Sequence, residues 1–531
     1  MKKTLALILS LCLTLALVSG CGSNGGNSST PAASNPNASG TADTSDTPSA
    51  STGSPTSLTV GVMSDTDGFD PINTVNFVGC NLVYETLVDI DPETSEAVGV
   101  LAESWEYVDD THLRVKLYDD ATFSNGEPVT GEDVYWSWYR NITENSSNMN
   151  CFAFIDWDNW EFVSDKEFII SYLEPFGPAV NYMTMCCFSV VCQSAMENAT
   201  SDDYWSAPVG SGPYSVVENV SGAYSSYALR EDYWNAEQMP EATEITVRNY
   251  SDASTLFIDY ETGALDIAFD LDVTDADRVS AGEVANTTLE TISANNVIGL
   301  AFPEYTEALS DVRVRQALAY AIDVEALTEM AYGSLGTVAT ALVPSNVQDV
   351  LEVGQQEYDP EKAKQLLDEA GVSNLTLHMV IVGNPTDERL ATTIQAYFQA
   401  VGVTLEIESC DLATAISHFM NSETDLVINS GSVVTMDIYE ALQMTLSSST
   451  NATIRITDES YNEDLLAAMS STDESVQSTA YTEAQQWLHD NYRQVPIAEL
   501  NTAFCYNSEK VSAVNTIGDE ALTLRYVELA G

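Results

Sequence analysis

DVRVRQALAYAIDVEALTEMAYG, Asp311–Gly333, is the stretch from which the rest of the chain is read. Val314, Ala317, Leu318, Ala321 and Ile322 recur at i, i+3, i+4, i+7 and i+8, one apolar stripe at helical period. Asp311 stands where an N-cap oxygen is wanted and Gly333 where a helix closes, so the pattern predicts one amphipathic helix packed on a core. Arg313 and Arg315 are expected to be solvated. They stand out because only 18 of the 531 residues are Lys or Arg.

Those 18 face 80 Asp and Glu, a formal net charge of -62. Nucleic acids and anionic membrane surfaces are held through basic footprints, so neither fits as a partner of this chain. Neutral or cationic partners suit it. The same acidity is also an ordinary adaptation to a salty or cation-rich exterior. Aromatic and aliphatic residues are interspersed with the acids, as in a folded chain. The length predicts two or three domains with ample core.

Lys2 and Lys3 precede an apolar run from Leu5 to Val18, the plan of a secretory signal peptide over 1–20. It ends Val18-Ser19-Gly20-Cys21, which resembles the lipobox of bacterial lipoproteins. That resemblance implies acylation of the Cys21 thiol and a membrane anchor. From Gly22 to Ser57 the chain is small and polar with no aromatic, which predicts a flexible tether over 21–57.

Leu58–Asp65 reads as a first strand, broken at Gly68 and Pro71. The turn Asp65-Thr66-Asp67-Gly68 brushes the calcium-loop pattern, but Met63 and Thr74 stand where its first and last carboxylates belong. THLRVKLY alternates as a strand, and a helix opens after Thr130 with Glu132 and Asp133 in its first turn. Gly210, Gly212 and Pro213 predict a tight turn where backbone comes close to a neighbour or a ligand. A helix over Ala253–Thr262, capped by Ser251-Asp252, lies between two strands. VIGLAF is a strand that enters a second α/β lobe, and Tyr358–Val372 a helix with proline near its start.

Several of these segments resemble the family 5 extracellular solute-binding proteins, the peptide- and nickel-binding components of ABC importers. They are Glu85–Asp89, Leu101–Trp105, Lys116-Leu117, Phe123–Val134, Ser137-Trp138, Pro208–Asn235, Thr262–Ala268, Asp311–Asp323 and Tyr358–Gly371. The resemblance runs from about Leu58 to the C-terminus. It implies an α/β, two-lobed, periplasmic-binding-protein-like fold of the Venus flytrap kind (type II, in the large three-subdomain form). Lobe I would comprise 58–297 plus 501–531, with an inserted subdomain about 80–205, and lobe II 298–500. Trp105, Trp136 and Trp138 are expected in packing.

In that family the ligand lies between the lobes, and peptide binders pair an aspartate with the ligand's ammonium. The corresponding segment here is Asp425–Ile438. Without a gap, the family's tryptophan falls on Gly431 and its anchoring aspartate on Val434, while Asp437 keeps the second acidic position. A buried ammonium needs a paired charge that valine cannot supply, so Asp437, Asp65 or Asp67 must substitute in any free-amine mode. Ser430, Gly431 and Ser432 make room and offer hydroxyl and backbone bonds. The resemblance puts Met63, Ser64, Asn296, Ser430, Gly431, Ser432, Val433, Val434 and Asp437 around the ligand.

No G-x-S-x-G elbow, H-E-x-x-H, P-loop or G-x-G-x-x-G occurs. His112, His378, His418 and His489 are scattered, so no metal and no cofactor is expected. Seven cysteines besides Cys21 follow the signal, an odd set that suggests buried free thiols. The expected role is a monomeric, lipid-anchored solute receptor, not an enzyme, on the outer face of a bacterial plasma membrane. It would pass its solute, an oligopeptide first, to ABC permease subunits. An opine, oligosaccharide or chelated-metal binder, a secreted hydrolase and a sensor lipoprotein are the alternatives.

Overall fold

The computed structural model describes residues 56–531 apart from 64–67, 73–76, 92–93, 95, 147, 200, 447–453 and 516–523. The signal peptide, Cys21, almost all of the tether, Ser64 and the calcium-like turn lie outside the described residues.

The organising element is a nine-stranded sheet. Its path runs Val427–Ser432, Thr287–Ala301, Gln494–Asn507, Ile267–Ala268, Ser57–Val62, Glu244–Asn249, Tyr224–Leu229, Tyr214–Val220, and Gly336–Val338 joins Gln494–Asn507 off the path. Ser57–Val62 is parallel to both its neighbours; the other pairings are antiparallel. VIGLAF proves to hold the last five residues, Val297–Ala301, of a 15-residue strand paired with the 14-residue strand Gln494–Asn507. These two strands cross from one hydrophobic core into another. At one end Phe504 and Tyr506 pack with Leu58, Val60, Ile245 and Val527. At the other, Ile298, Leu300, Val495 and Ile497 pack with Val314, Leu318, Leu377 and Phe398. The C-terminal residues Val511, Val514, Leu524 and Val527 return to the first of these cores.

The second core holds a parallel pair, Thr376–Val382 and Thr404–Cys410, crossed over by the helix Pro385–Ala400. Asp311–Gly333 lies over it, but as two nine-residue helices, Val312–Tyr320 and Val324–Tyr332. The stripe is right about burial: Val314, Ala317, Leu318, Ala321 and Ile322 are all at most 1% exposed. It misses the break. Asp323 caps a second start by accepting from Ala326 N, and a short acid in mid-pattern competes with helix for backbone donors. Arg315 is a second correction, being buried rather than solvated. Its guanidinium donates to the carbonyls of Leu309, Ser310 and Asn491, while burial and Arg493 pull its pKa down to about 10. Arg313 stays at the surface, paired with Asp311.

A four-stranded sheet, Ala102–Asp109, His112–Leu117, Glu167–Ser171 and Glu161–Ser164, builds a third core with the helix Gly131–Thr143. Thr130 and Asp133 form the capping box that opens this helix. Trp138 is fully buried and donates to Phe188 O; Trp105 and Trp136 pack at the edges of cores. The tight turn at 210–213 approaches the backbone of a neighbouring segment. A Cβ on Gly210 would sit 1.9 Å from Val83 O, and Arg230 gathers the carbonyls of 210–212. The third core does not stop at residue 192. It continues into Ile438, Tyr439, Tyr461, Leu465, Tyr481 and Leu488, so sequence-distant segments share one interior.

Candidate functional site

Where the two long strands pass between cores, their register slips. Ser293 pairs with Asn501 and Asn296 with Leu500, leaving Ala294 and Asn295 as a bulge. Asn295 holds a left-handed φ of 49°, which asparagine adopts more readily than most residues. Three bonds fix it: its carbonyl accepts from Val433 N at 2.8 Å, its Oδ1 from Asn346 at 2.6 Å, and its Nδ2 donates to Met436 Sδ at 3.5 Å. Beside it Glu499 accepts from Ser345 N, Ser345 Oγ and Ser293 Oγ.

Four of the expected residues converge here. Asn296 pairs with Ser432, Val297 with Gly431 and Ile298 with Ser430, and Ser430 Oγ donates to Asn296 Oδ1 at 2.9 Å. Val433 is fully buried, so its side chain serves the core and only its backbone bonds to the bulge. Val434 is half-buried on the same connection. Met63 packs elsewhere, against the core of Leu256 and Phe257.

Asp437 caps the helix Ile438–Leu442. Its Oδ1 accepts from Tyr439 N at 2.8 Å and from the Tyr481 hydroxyl at 2.9 Å. Burial, the main cause, lifts its pKa above the ordinary 3.8, and Asp349 adds to the rise. The helix it caps packs into the third core, of which Ile438 and Tyr439 are members. Asn181 Nδ2 donates to Thr435 O at 3.0 Å, Phe176 meets Tyr439 edge to face, and Gly177 N donates to Met469 O at 2.6 Å. Tyr107, Tyr172 and Tyr182 line that side. Tyr107 feels the Asp437 charge, and burial pushes its phenol up to about 12. Tyr182, raised mainly by burial, feels Glu440 and Asp437. The hydroxyls of Tyr107 and Tyr172 are buried without a hydrogen-bond partner.

The junction is therefore a tyrosine wall facing a carboxylate and a bulged strand. Its wall was not among the expected residues, because positions 107, 172, 182 and 481 share no local pattern. Asn295 had a signal, a tandem asparagine before an apolar strand.

Among the described residues, no group of three His, Cys, Asp or Glu is arranged to hold a metal ion. His378 and His418 do meet at Glu408, at 3.2 and 3.7 Å. The seven cysteines are free thiols, five of them buried.

Residues 96–453 match the model of the bacterial extracellular solute-binding proteins, family 5 (middle). The chain belongs to that family. Among curated relatives, family 5 similarity extends to heme-binding protein A of Haemophilus influenzae, 27% identical over 63% of this chain and 67% of that protein. The dipeptide-binding protein of Escherichia coli is 25% identical over 65% of this chain and 69% of its own length. A solved structure of HbpA2 from Haemophilus parasuis superposes with a TM-score of 0.81 at 21% identity, covering 90% of this chain and all of that one. The two-lobed α/β fold is thus that of family 5. No helix among the described residues is long and apolar enough to cross a membrane.

Proposed function

We propose that the chain is the solute-capturing lipoprotein of an ABC importer, holding its ligand at the junction described above. The observation that carries this is the bulge at Ala294–Asn295. It interrupts the long strand Thr287–Ala301 between two cores, while its partner runs on through Leu500 and Asn501. A second register shift follows at Ile298/Gly299, and a strand pair with such irregular points is a natural hinge, since a few residues absorb the change in φ and ψ. Lobe I then comprises 58–297 and 501–531, with the inserted subdomain about 80–205, and lobe II 298–500. Contacts of Phe176, Gly177 and Asn181 with Thr435, Tyr439 and Met469 belong to the closed state.

Oligopeptide is the first ligand class, since peptide binders recur among the relatives. The relatives also include a heme binder, and Val434 at the expected anchor keeps opines, oligosaccharides and chelated metals as alternatives. The chain carries out no reaction of its own. Anchored through Cys21, it works as a monomer outside the plasma membrane and docks both lobes on permease subunits. Thermal unfolding of residues 58–531 against pools of peptides, oligosaccharides and metal chelates tests this reading. A true ligand at a hundred times its dissociation constant adds about 2.7 kcal/mol, a rise of a few degrees. Hydrolysis of a pool, or no shift with any, contradicts it.

A further inference from the structure

Four of the seven free cysteines have another thiol for a partner, and they meet at one short turn, Cys186–Phe188. Cys186 packs into the core of Leu58 and Val60, where it is hydrogen-bonded to Cys80. Cys187 faces the other way, into the third core, where it is hydrogen-bonded to Cys151. The remaining three are held by other groups. Cys192 donates to Glu127 at 3.5 Å, Cys410 to Ile381 O at 3.8 Å, and Cys505 meets the Tyr260 hydroxyl.

Packing and backbone bonds bring Cys151 and Cys187 together. Phe152 and Phe188, one residue on from each, stack with ring centroids 4.1 Å apart. Asn141 ties the two turns to each other: its Nδ2 donates to Cys187 O at 3.4 Å, and its Oδ1 accepts from Ser146 Oγ at 2.7 Å. Ser146 O in turn accepts from Met149 N at 3.3 Å, at the start of the turn that holds Cys151. The pair is unequal. Cys151 is half-buried, whereas Cys187 is 4% exposed. The hydrogen bond from Cys187 holds the Cys151 thiol below its ordinary range, against burial and Glu440. The same bond, with burial, pushes Cys187 up. Cys80 is fully buried, and its contact with Cys186 and its burial both push it up.

A reachable, acidic thiol with a second thiol against it is the arrangement from which a disulfide closes. We propose that Cys151 and Cys187 form a redox-active dithiol that closes on reaction with a small-molecule disulfide, while Cys80 and Cys186 stay reduced. The Cys151 thiolate attacks one sulfur of the oxidant, whose S–S bond breaks and expels the first thiolate. The Cys187 thiolate then attacks the Cys151 sulfur of the mixed disulfide and expels the second. One protein S–S bond has formed, the oxidant has taken two electrons, and the two thiol protons leave with its two halves. The bond pins the Met149–Phe152 turn to the Cys186–Phe188 turn. This site does not depend on what the receptor binds.

Peptide mapping of the mature chain tests this, without reductant, after oxidised glutathione and alkylation of the thiols that remain. The map should show a Cys151–Cys187 crosslink with the other five of the seven thiols alkylated, and dithiothreitol should restore all seven. Oxidation should raise the unfolding midpoint by a few degrees, a rise absent in Cys151→Ser. Cys187→Ser should stop at the mixed disulfide of Cys151 with one glutathione. A disulfide through Cys80 or Cys186 with Cys151 still free overturns the inference. So does an unsubstituted chain that keeps all seven thiols or stops at glutathionylated Cys151.

Discussion

Two carboxylates in this molecule, one buried and one partly buried, are treated in opposite ways. Glu85, 2% exposed, accepts from the Tyr233 hydroxyl at 2.6 Å and Trp234 Nε1 at 2.9 Å, and Arg525 comes within 4.0 Å. Asp437 also has a phenol and an N–H, yet among the described residues no Lys or Arg pairs with it. Burial raises both pKa values, but at Glu85 Arg525 pulls back. The first carboxylate completes its charge balance within the chain. The second leaves it open, together with two phenol hydroxyls.

The comparison is broken most violently by removing the cation from the complete cluster. Arg525→Leu leaves Glu85 buried and uncompensated and frees Asp89, at a cost of about 3–5 kcal/mol in chemical denaturation. A loss below about 1 kcal/mol would mean that Glu85 needs no cation. Next comes the bulge. Asn295→Val places a β-branched residue at a φ of 49° and removes two side-chain bonds, for about 2–3 kcal/mol. Asn295→Gly keeps the backbone easy and should cost about half of that. If the two variants are equal, the left-handed backbone is not the constraint.

At the closing contact, Gly177→Ala puts a Cβ 2.2 Å from Ser471 O, so that contact must open. Overpacking of this kind costs about 1–3 kcal/mol. On the proposed reading of this contact as part of the closed state, it should weaken ligand binding more than it lowers the unfolding midpoint. The pH dependence is subtler. Asp437 has a raised folded pKa, so its contribution to stability is fully present below its ordinary 3.8 and is lost as pH rises through the folded value. Asp437→Asn removes that loss, and the stability difference should shift in the variant's favour as pH rises from 3.8. A difference that does not vary with pH contradicts the burial of this carboxylate. Smallest of all, Ser430→Ala removes one exposed hydroxyl bond to Asn296, worth less than about 0.5 kcal/mol.

The same contrast divides what could be read from the sequence. Local chemistry was legible wherever it is self-contained. The helix start after Thr130 with Glu132 and Asp133 in its first turn, the Asp252 cap, Pro360 at the first turn of its helix and the apolar stripe of Asp311–Gly333 are all where the pattern places them. The stripe could not show the break at Asp323, because period and burial are satisfied on either side of it. Nor could it show that Arg315 turns inward to collect three carbonyls supplied by distant chain. At the site, the register that joins Asn296 to Ser432 follows from two strands being neighbours, which a motif can suggest. The tyrosine wall follows only from the third core meeting the 435–440 connection, which no local pattern encodes.

The most direct measurement is hydrogen exchange of the mature chain with and without saturating ligand. If the ligand closes the junction, amides of 433–440 and 293–297 should gain protection together with those around 107, 172 and 182. The open hollow of about 360 Å³ lined by Asp323, Glu325, Glu357 and Tyr358 should not change. Protection confined to that hollow, or absent from the junction, would place the ligand elsewhere and contradict the account.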